Sequence, residues 1–352
     1  MNLKKNKALK IAAVLLCISA AAVFAYNPPP LGESLYSFTS PFMLSAESAA
    51  AGGALSHIHP GHVSVNPALP AAEERAVIDA AYTALIAPHR TKSYGQAGNI
   101  GTIIPSRYGV FTGALQGVFV PFNDMLLQNS FTVRAAYAKD ITDWLYAGIG
   151  LYGGFGSDWA LAADLGFVYL PEKITWLPFI KKPRIGAALT GMGKNYKPET
   201  IGIDGLPHKI TSFPSIFTPR AGFSGTLFEL KHFSGGFSMD ISFPFFQNLV
   251  FDTGLQFLIA DTACLSAGWQ FNLREAMAKT ASWYPSVSLS IKFGFTSKDE
   301  SILSKRGWQQ SEMIVSGAYR PLKKNIHAVS GGAALYLGLK DTAAPEIILW
   351  GE

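Results

Sequence analysis

Three histidines in six residues, His57, His59 and His62, are the densest cluster of metal-ligand side chains in the chain. Imidazoles at that spacing bind a transition metal when a helix or strand holds them rigid and a fourth donor completes the shell. Here the surroundings are Gly- and Pro-rich, no Cys stands at a recognised spacing, and Glu47 adds little. The cluster therefore reads as structural, with no metal. Covalent hydrolysis would need Ser, His and an orienting acid held together. His89, His208, His232 and His327 lie in no nucleophile motif, and no G-x-S-x-G occurs. Gly150 to Gly156 (GLYGGFG) is neither a phosphate loop nor a dinucleotide fingerprint. It reads as strand residues kept small. No catalytic residue and no cofactor is predicted, and an enzyme is not expected.

The elements that would have to carry such groups are better defined than the groups. The chain has 352 residues, 49% hydrophobic and only 15% charged. Soluble domains carry about 25% charged residues. Yet after residue 25 no apolar run approaches the roughly 20 residues of a membrane helix. A greasy chain without spanning helices has one membrane solution, the closed barrel, because lipid leaves no partner for unpaired backbone groups.

Alternation supports it. Leu249, Phe251, Leu255, Phe257 and Ile259 share one parity, and Asn248, Asp252 and Gln256 the other. After Ala260-Asp261, Ala263, Leu265, Ala267, Trp269 and Phe271 alternate with Thr262, Ser266 and Gln270. Successive strand residues point to opposite faces, so each run has one greasy and one polar face. Similar runs are predicted at 74–86, 97–105, 107–119, 129–139, 142–154, 158–170, 183–191, 215–226, 233–243, 246–259, 261–271, 285–296, 311–320 and 326–340. Fourteen strands is an even count, as bacterial single-chain barrels require. From Phe111 on, the greasy parity is odd, down to Leu335, Leu337 and Leu339. The other parity carries Arg134, Asp164, Arg220, Asp240, Asp252, Gln256, Lys292 and Arg320, expected to line an ion-paired lumen. The fold class is thus an all-β transmembrane antiparallel barrel. Trp144, Trp159 and Trp283 at strand starts suit headgroup-level anchors.

Residues 1–25 read as a signal peptide: Lys4, Lys5, Lys7 and Lys10, then apolar Ile11 to Ala22, then Val23-Phe24-Ala25 before cleavage. Its removal takes four of 29 basic residues and none of 24 acidic ones, leaving 25 against 24. The mature chain is nearly neutral, so nucleic acid is not an expected partner. Only Cys264 remains, too few for an intrachain disulfide. Residues 26–73 do not alternate. Ser45 to Leu55 is expected as a short Ala-rich helix. With both barrel termini on the periplasmic side, the longest connection, 192–214, falls outside. Met192, Ile201, Ile203, Leu206 and Phe213 there are candidates for a capture surface. Residues 341–352 form a C-terminal tail.

Residues 45–71 carry Ala49 to Ala51, Gly52-Gly53-Ala54 and Asn66-Pro67-Ala68. This segment resembles the N-terminal hatch of FadL-like outer-membrane proteins, the long-chain fatty-acid transporter group. The His-rich loop between glycines and triplet departs from that pattern. The resemblance implies a hatch at 26–73 inside a fourteen-stranded barrel at 74–340. It implies bacterial outer-membrane localisation and passive uptake of hydrophobic small molecules, long-chain fatty acids among them. The implied partners are a hydrophobic small-molecule ligand, outer-membrane lipid and the barrel-assembly machinery. The alternatives are a structural or secretion-associated barrel that binds a protein partner, and a polar-solute porin.

Overall fold

The computed structural model describes residues 38–45, 49–88, 93–121, 129–156, 159–175, 177–194, 217–246, 248–277, 283–297, 308–322 and 325–338. The signal segment, the 341–352 tail and most of the long 195–217 connection lie outside the described residues. Fourteen antiparallel strands close into one barrel, each paired with its chain neighbours and β1 with β14. They are β1 (Ala76–Ile86), β2 (Tyr94–Ser106), β3 (Gly109–Phe119), β4 (Ser130–Thr142), β5 (Leu145–Phe155), β6 (Trp159–Tyr169) and β7 (Lys181–Lys194). There follow β8 (Thr218–Leu230), β9 (Phe233–Ser242), β10 (Val250–Ile259), β11 (Ala263–Asn272), β12 (Ser286–Thr296), β13 (Gln310–Leu322) and β14 (Ile326–Leu337). At ten to fourteen residues, each is long enough to cross a bilayer as a tilted strand. No described helix is long and apolar enough to cross a membrane.

The outer wall is an apolar belt. Phe111, Leu115, Val133, Ile149, Leu151, Leu161, Phe167, Leu265, Leu289 and Phe293 are all exposed on it. Aromatic girdles edge the belt at both ends. Where the chain termini of the barrel lie, Trp144 meets Tyr169 edge-on and the Tyr137 hydroxyl donates to the Tyr108 carbonyl. At the other end Lys194 sits over Trp159, and Trp283 packs on Phe271.

The outward parity is not the same all round the barrel. Odd residues face outward from β3 onward, but in β1 and β2 the outward residues are even: Ile78, Tyr82, Tyr94, Ile100 and Ile104. Partners across an antiparallel pair share a face. The two-residue turn Arg107-Tyr108 pairs Ser106 with Gly109, residues of opposite parity. The three-residue turn 260–262 pairs Ile259 with Ala263, residues of the same parity. The flip is undone at the seam, where Ala76 faces Leu337. Leu337, the last residue of β14, is buried.

The seam is held by charge. Buried Arg75 is fixed by Glu73 at 2.8 Å and by Glu312 of β13 at 2.5 Å, with Tyr336 of β14 under its guanidinium. Lys292 also reaches Glu312, at 3.6 Å.

Candidate functional site

The described part of the N-terminal segment lies inside the barrel. Its one helical turn is Pro41–Leu44, not Ser45 to Leu55 as expected from the alanines. Ser40 caps that turn by accepting from the Met43 N–H, and Pro41 occupies the first helical position, where its missing N–H costs nothing. Past Ala49 the chain turns through Gly52, whose φ of +73° disfavours any residue with a Cβ. Two short 3₁₀ turns follow, Pro60–Ser64 and Leu69–Ala72.

The motif residues form the contact with the wall. Asn66 is wholly buried and makes three hydrogen bonds. Its Nδ2 donates to the Ala50 carbonyl at 2.7 Å and to the Phe167 carbonyl of β6 at 3.0 Å. Its Oδ1 accepts from the Ala68 N–H at 3.0 Å, closing a turn around Pro67. Asn66 thus joins the two halves of the motif to each other and to the barrel. Ala50 donates its N–H to Asp240 of β9 at 2.8 Å, and Leu55 donates to Gln256 of β10 at 3.0 Å. The Tyr336 hydroxyl donates to the Ile58 carbonyl at 3.0 Å.

The wall makes room with glycines. A Cβ at Gly148 or Gly166 would overlap Pro67 or Asn66, one at Gly186 the Ala50 carbonyl, and one at Gly222 the Ala50 and Ala51 amides. Across the ladders Gly148 faces Gly166 and Gly186 faces Gly222. Gly236 receives Ala54 and Leu55, and Gly101 receives Pro60. A band of inward glycines on β2 and β5–β9 therefore forms the socket for the N-terminal segment. Sequence reasoning missed these positions singly. The signal was present as glycine on the inward parity of successive strands.

Of the eight residues predicted to line the lumen, six fall in two groups on the inner wall, while Gln256 contacts Leu55 and Lys292 pairs with Glu312. Arg134 pairs with Asp164 at 3.1 Å, both buried, and Asp164 also accepts the Gly191 N–H at 2.7 Å. Around the other side, Arg220 donates to Asp240 at 2.9 Å through Nε. Asp252, opposite Asp240 in the ladder, accepts from Gln270 at 2.9 Å, and Gln270 accepts from Arg320 at 2.9 Å. A polar stripe thus crosses five strands, β8 to β11 and β13. Sequence reasoning also missed the buried Asp79–Asn99 pair at 2.8 Å and Arg184, which reaches the Gly53 carbonyl at 3.5 Å. Arg184 sits just inside β7, after a register shift.

Met192 lies within β7 rather than in a loop. It follows a second irregularity, at Gly191, and stands opposite Ala163 on the outward parity of β6. Ile201, Ile203, Leu206 and Phe213 lie outside the described residues. His59 and His62 are fully buried, with ring centroids 3.9 Å apart, and His59 stacks on Phe42. No group of three metal-ligating residues exists among the described residues. Burial first, and the neighbouring His62 second, hold the His59 imidazole well below its usual pKa.

A closed fourteen-stranded barrel with an apolar belt and a lumen occupied by its own N-terminal segment is a plugged membrane-spanning β-barrel. No protein-family model matches the chain, and no curated protein matches it. Solved structures do. A TodX deltaS2S3 mutant, titled a monoaromatic hydrocarbon channel, aligns at a TM-score of 0.50 and 10% identity, covering 84% of this chain and 99% of that one. The CymD monoaromatic hydrocarbon channel aligns at 0.49 and 11%, covering 88% and 100%. The Ralstonia pickettii toluene transporter TbuX aligns at 0.47 and 11%, covering 86% and 97%. At such identities the likeness is one of fold. It is the fold of the FadL-like barrels that the N-terminal motif resembles.

Proposed function

We propose that this chain is a bacterial outer-membrane channel for passive passage of hydrophobic small molecules, with residues 26–73 as its hatch. The observation that carries the reading is the seating of the N-terminal segment. A glycine socket and a few polar contacts hold it, chiefly Asp240 to Ala50, Gln256 to Leu55 and Asn66 to Phe167. Such contacts contribute about 1 kcal/mol each, somewhat more where a charged group accepts. Apolar packing holds it as well, Phe38 and Leu44 against Leu85 and Val118, and Phe42, Ile58 and Leu69 against Val77 and Ile103, so passage would require the segment to move as a unit. The fold shared with a TodX channel supports an apolar cargo. Long-chain fatty acids are the class implied by the motif resemblance, and monoaromatic hydrocarbons are the class named for the TodX and CymD channels. No energy source is built into the described residues, which suits movement down a gradient.

The test is uptake of a labelled long-chain fatty acid and of labelled toluene into vesicles carrying the purified protein. Passage of at least one above empty vesicles is expected. A Leu55→Cys/Gln256→Cys pair, oxidised, should abolish passage, and reduction should restore it. If neither compound passes in the reduced form, the channel reading is wrong. Steady ion conductance in a planar bilayer would instead identify a polar-solute porin.

A further inference from the structure

The hairpin of β12 and β13 reaches further than the wall beside it. β11 begins at Ala263, opposite Ile291 of β12, and the chain before it turns back at Ala260-Asp261. β12 runs on to Thr296, paired with β13 as far as Gln310. Phe293 to Thr296 therefore have β13 on one side and, among the described residues, no strand on the other. Two backbone bonds fix which groups face the empty side. Lys292 donates its N–H to the Thr262 carbonyl, toward β11, and Ser297 donates to the Gln309 carbonyl, toward β13. Successive residues of an antiparallel strand bond to alternate sides, so Gly294 and Thr296 turn their N–H and C=O groups to the open edge. Both are exposed. A Cβ at Gly294 would meet nothing within 4 Å.

An open strand edge is a template for a further strand. Between Phe293 and Thr296 it carries no Lys, Pro or bulge of the kind that blunts an edge. The chain itself supplies a segment suited to it. Ile347-Ile348-Leu349-Trp350, after Pro345, has the β-branched and aromatic composition of a strand and lies outside the described residues. β14 leads toward it from the same end of the barrel. The Gly338 N–H donates to Ser311 Oγ of β13 at 3.1 Å, and a φ of +88° turns the chain there. From β14 to the far edge of β12 is about three strand spacings, roughly 15 Å. The stretch from Gly338 to Ile347 spans up to about 30 Å when extended.

We propose that residues 347–350 pair with Phe293 to Thr296 as an added short strand, closing the edge of β12 below the β10–β11 turn. Three observations select that occupant: the shared end of the barrel, the reach, and the fit of side chains. Successive strand residues point to opposite faces. One pair of the segment, Ile347 with Leu349 or Ile348 with Trp350, therefore extends the Phe293–Phe295 face, and the other pair covers the space over Gly294. Packing a large side chain across an edge glycine stabilises such a pairing. The docked strand stands at the mouth of the lumen, beside the cleft where Leu55 and His57 meet Asp261, Thr262 and Lys292. The pairing rests on the strand register and not on the cargo reading, so either can fail alone.

The experiment is hydrogen exchange of the folded full-length protein in detergent, read residue by residue over 292–297. The Gly294 and Thr296 amides should exchange at least ten-fold more slowly than in a variant lacking residues 341–352. The Phe293 and Phe295 amides, which face β13, should not change. The double substitution Ile348→Pro with Leu349→Pro should match the truncation, because successive N–H groups alternate in direction and one of the two must face β12. Heat-modifiable gel mobility should show both variants folded. In a Cys264→Ala chain, Gly294→Cys and Ile348→Cys should be joined within one chain by a short bis-maleimide. Fast exchange at Gly294 and Thr296 in the wild type, or slow exchange that survives truncation, would overturn the proposal. So would cross-links formed only between chains, since the occupant would then be the tail of a second copy.

Discussion

The Asp240 carboxylate joins the barrel to its lumenal segment: one oxygen accepts the Ala50 N–H at 2.8 Å, and the other accepts from Arg220 Nε at 2.9 Å. The same side chain thus fixes a wall arginine and a motif residue. The Arg220 contact depends on its charge, whereas the Ala50 contact needs only a buried acceptor oxygen. Removing one partner of a buried pair leaves the other uncompensated, at a cost of about 3–5 kcal/mol. Arg220 keeps Asp252 beside it, so Asp240→Ala is expected to lower the barrel's stability by less than that, about 1–3 kcal/mol. It should also speed proteolysis of the N-terminal segment. The denaturation midpoint in detergent and the cleavage rate check the two effects. Asp240→Asn keeps an acceptor for Ala50 and should protect the segment better than Asp240→Ala.

Asn66 bonds both motif halves and the Phe167 carbonyl. Asn66→Ala should cost about 2–3 kcal/mol, the sum of several neutral hydrogen bonds of about 1 kcal/mol each. The loss should fall on the seating of the segment more than on the barrel. Hydrogen exchange at Ala50 and Ala68, compared with exchange in the strands, would show this. Equal loosening everywhere would contradict it.

The glycine socket predicts a sharp positional contrast. Gly186→Ala places a methyl against the Ala50 carbonyl, whereas Gly331→Ala meets nothing within 4 Å. Overpacking of this kind costs about 1–3 kcal/mol. The first substitution should expose the N-terminal segment to protease, and the second should not. Paired thermal melts and limited proteolysis of the two variants decide the matter.

His59 gives the lumenal segment a pH dependence with a definite sign. Its folded pKa lies well below the ordinary 6.5, because burial and then His62 oppose its charge. Released, the imidazole takes a proton as pH falls through about 6.5; seated, it does not. The released state therefore binds more protons, and seating is strongest above that value and weakens as pH falls below it. Protease sensitivity of the segment should rise on acidification. His59→Phe, which keeps the stack on Phe42, should flatten that rise. An unchanged profile in His59→Phe would remove His59 as the cause.

The outer belt predicts intolerance to charge. Leu289→Arg puts a cation on the lipid face near mid-strand, where the penalty is about 2–4 kcal/mol. Equilibrium folding into lipid vesicles should register that loss. A change within error would argue against β12 facing lipid.

Much of this was legible in the residues because the cause is local. A strand shows its two faces in sequence, so Leu265 and Trp269 against Ser266 and Gln270 reveal an outer and an inner wall without any partner. All fourteen strands follow from such runs, and the inward charges follow from the same parity. What could not be read locally was anything set by closure or by contact between distant segments. The reversed parity of β1 and β2 depends on a two-residue turn, invisible to a face-by-face reading. The Arg75–Glu312 tie at the seam and the stripe from Arg220 to Arg320 need strands brought together by the barrel.

The sequence by itself determined a membrane barrel, because hydrocarbon admits only strands whose backbone bonds close on themselves. Gly52-Gly53-Ala54 and Asn66-Pro67-Ala68 marked the N-terminal segment as particular but gave it no site. Only the tertiary structure decided where those residues press, since Gly186, Gly222 and Asp240 become one surface only when β7, β8 and β9 lie side by side.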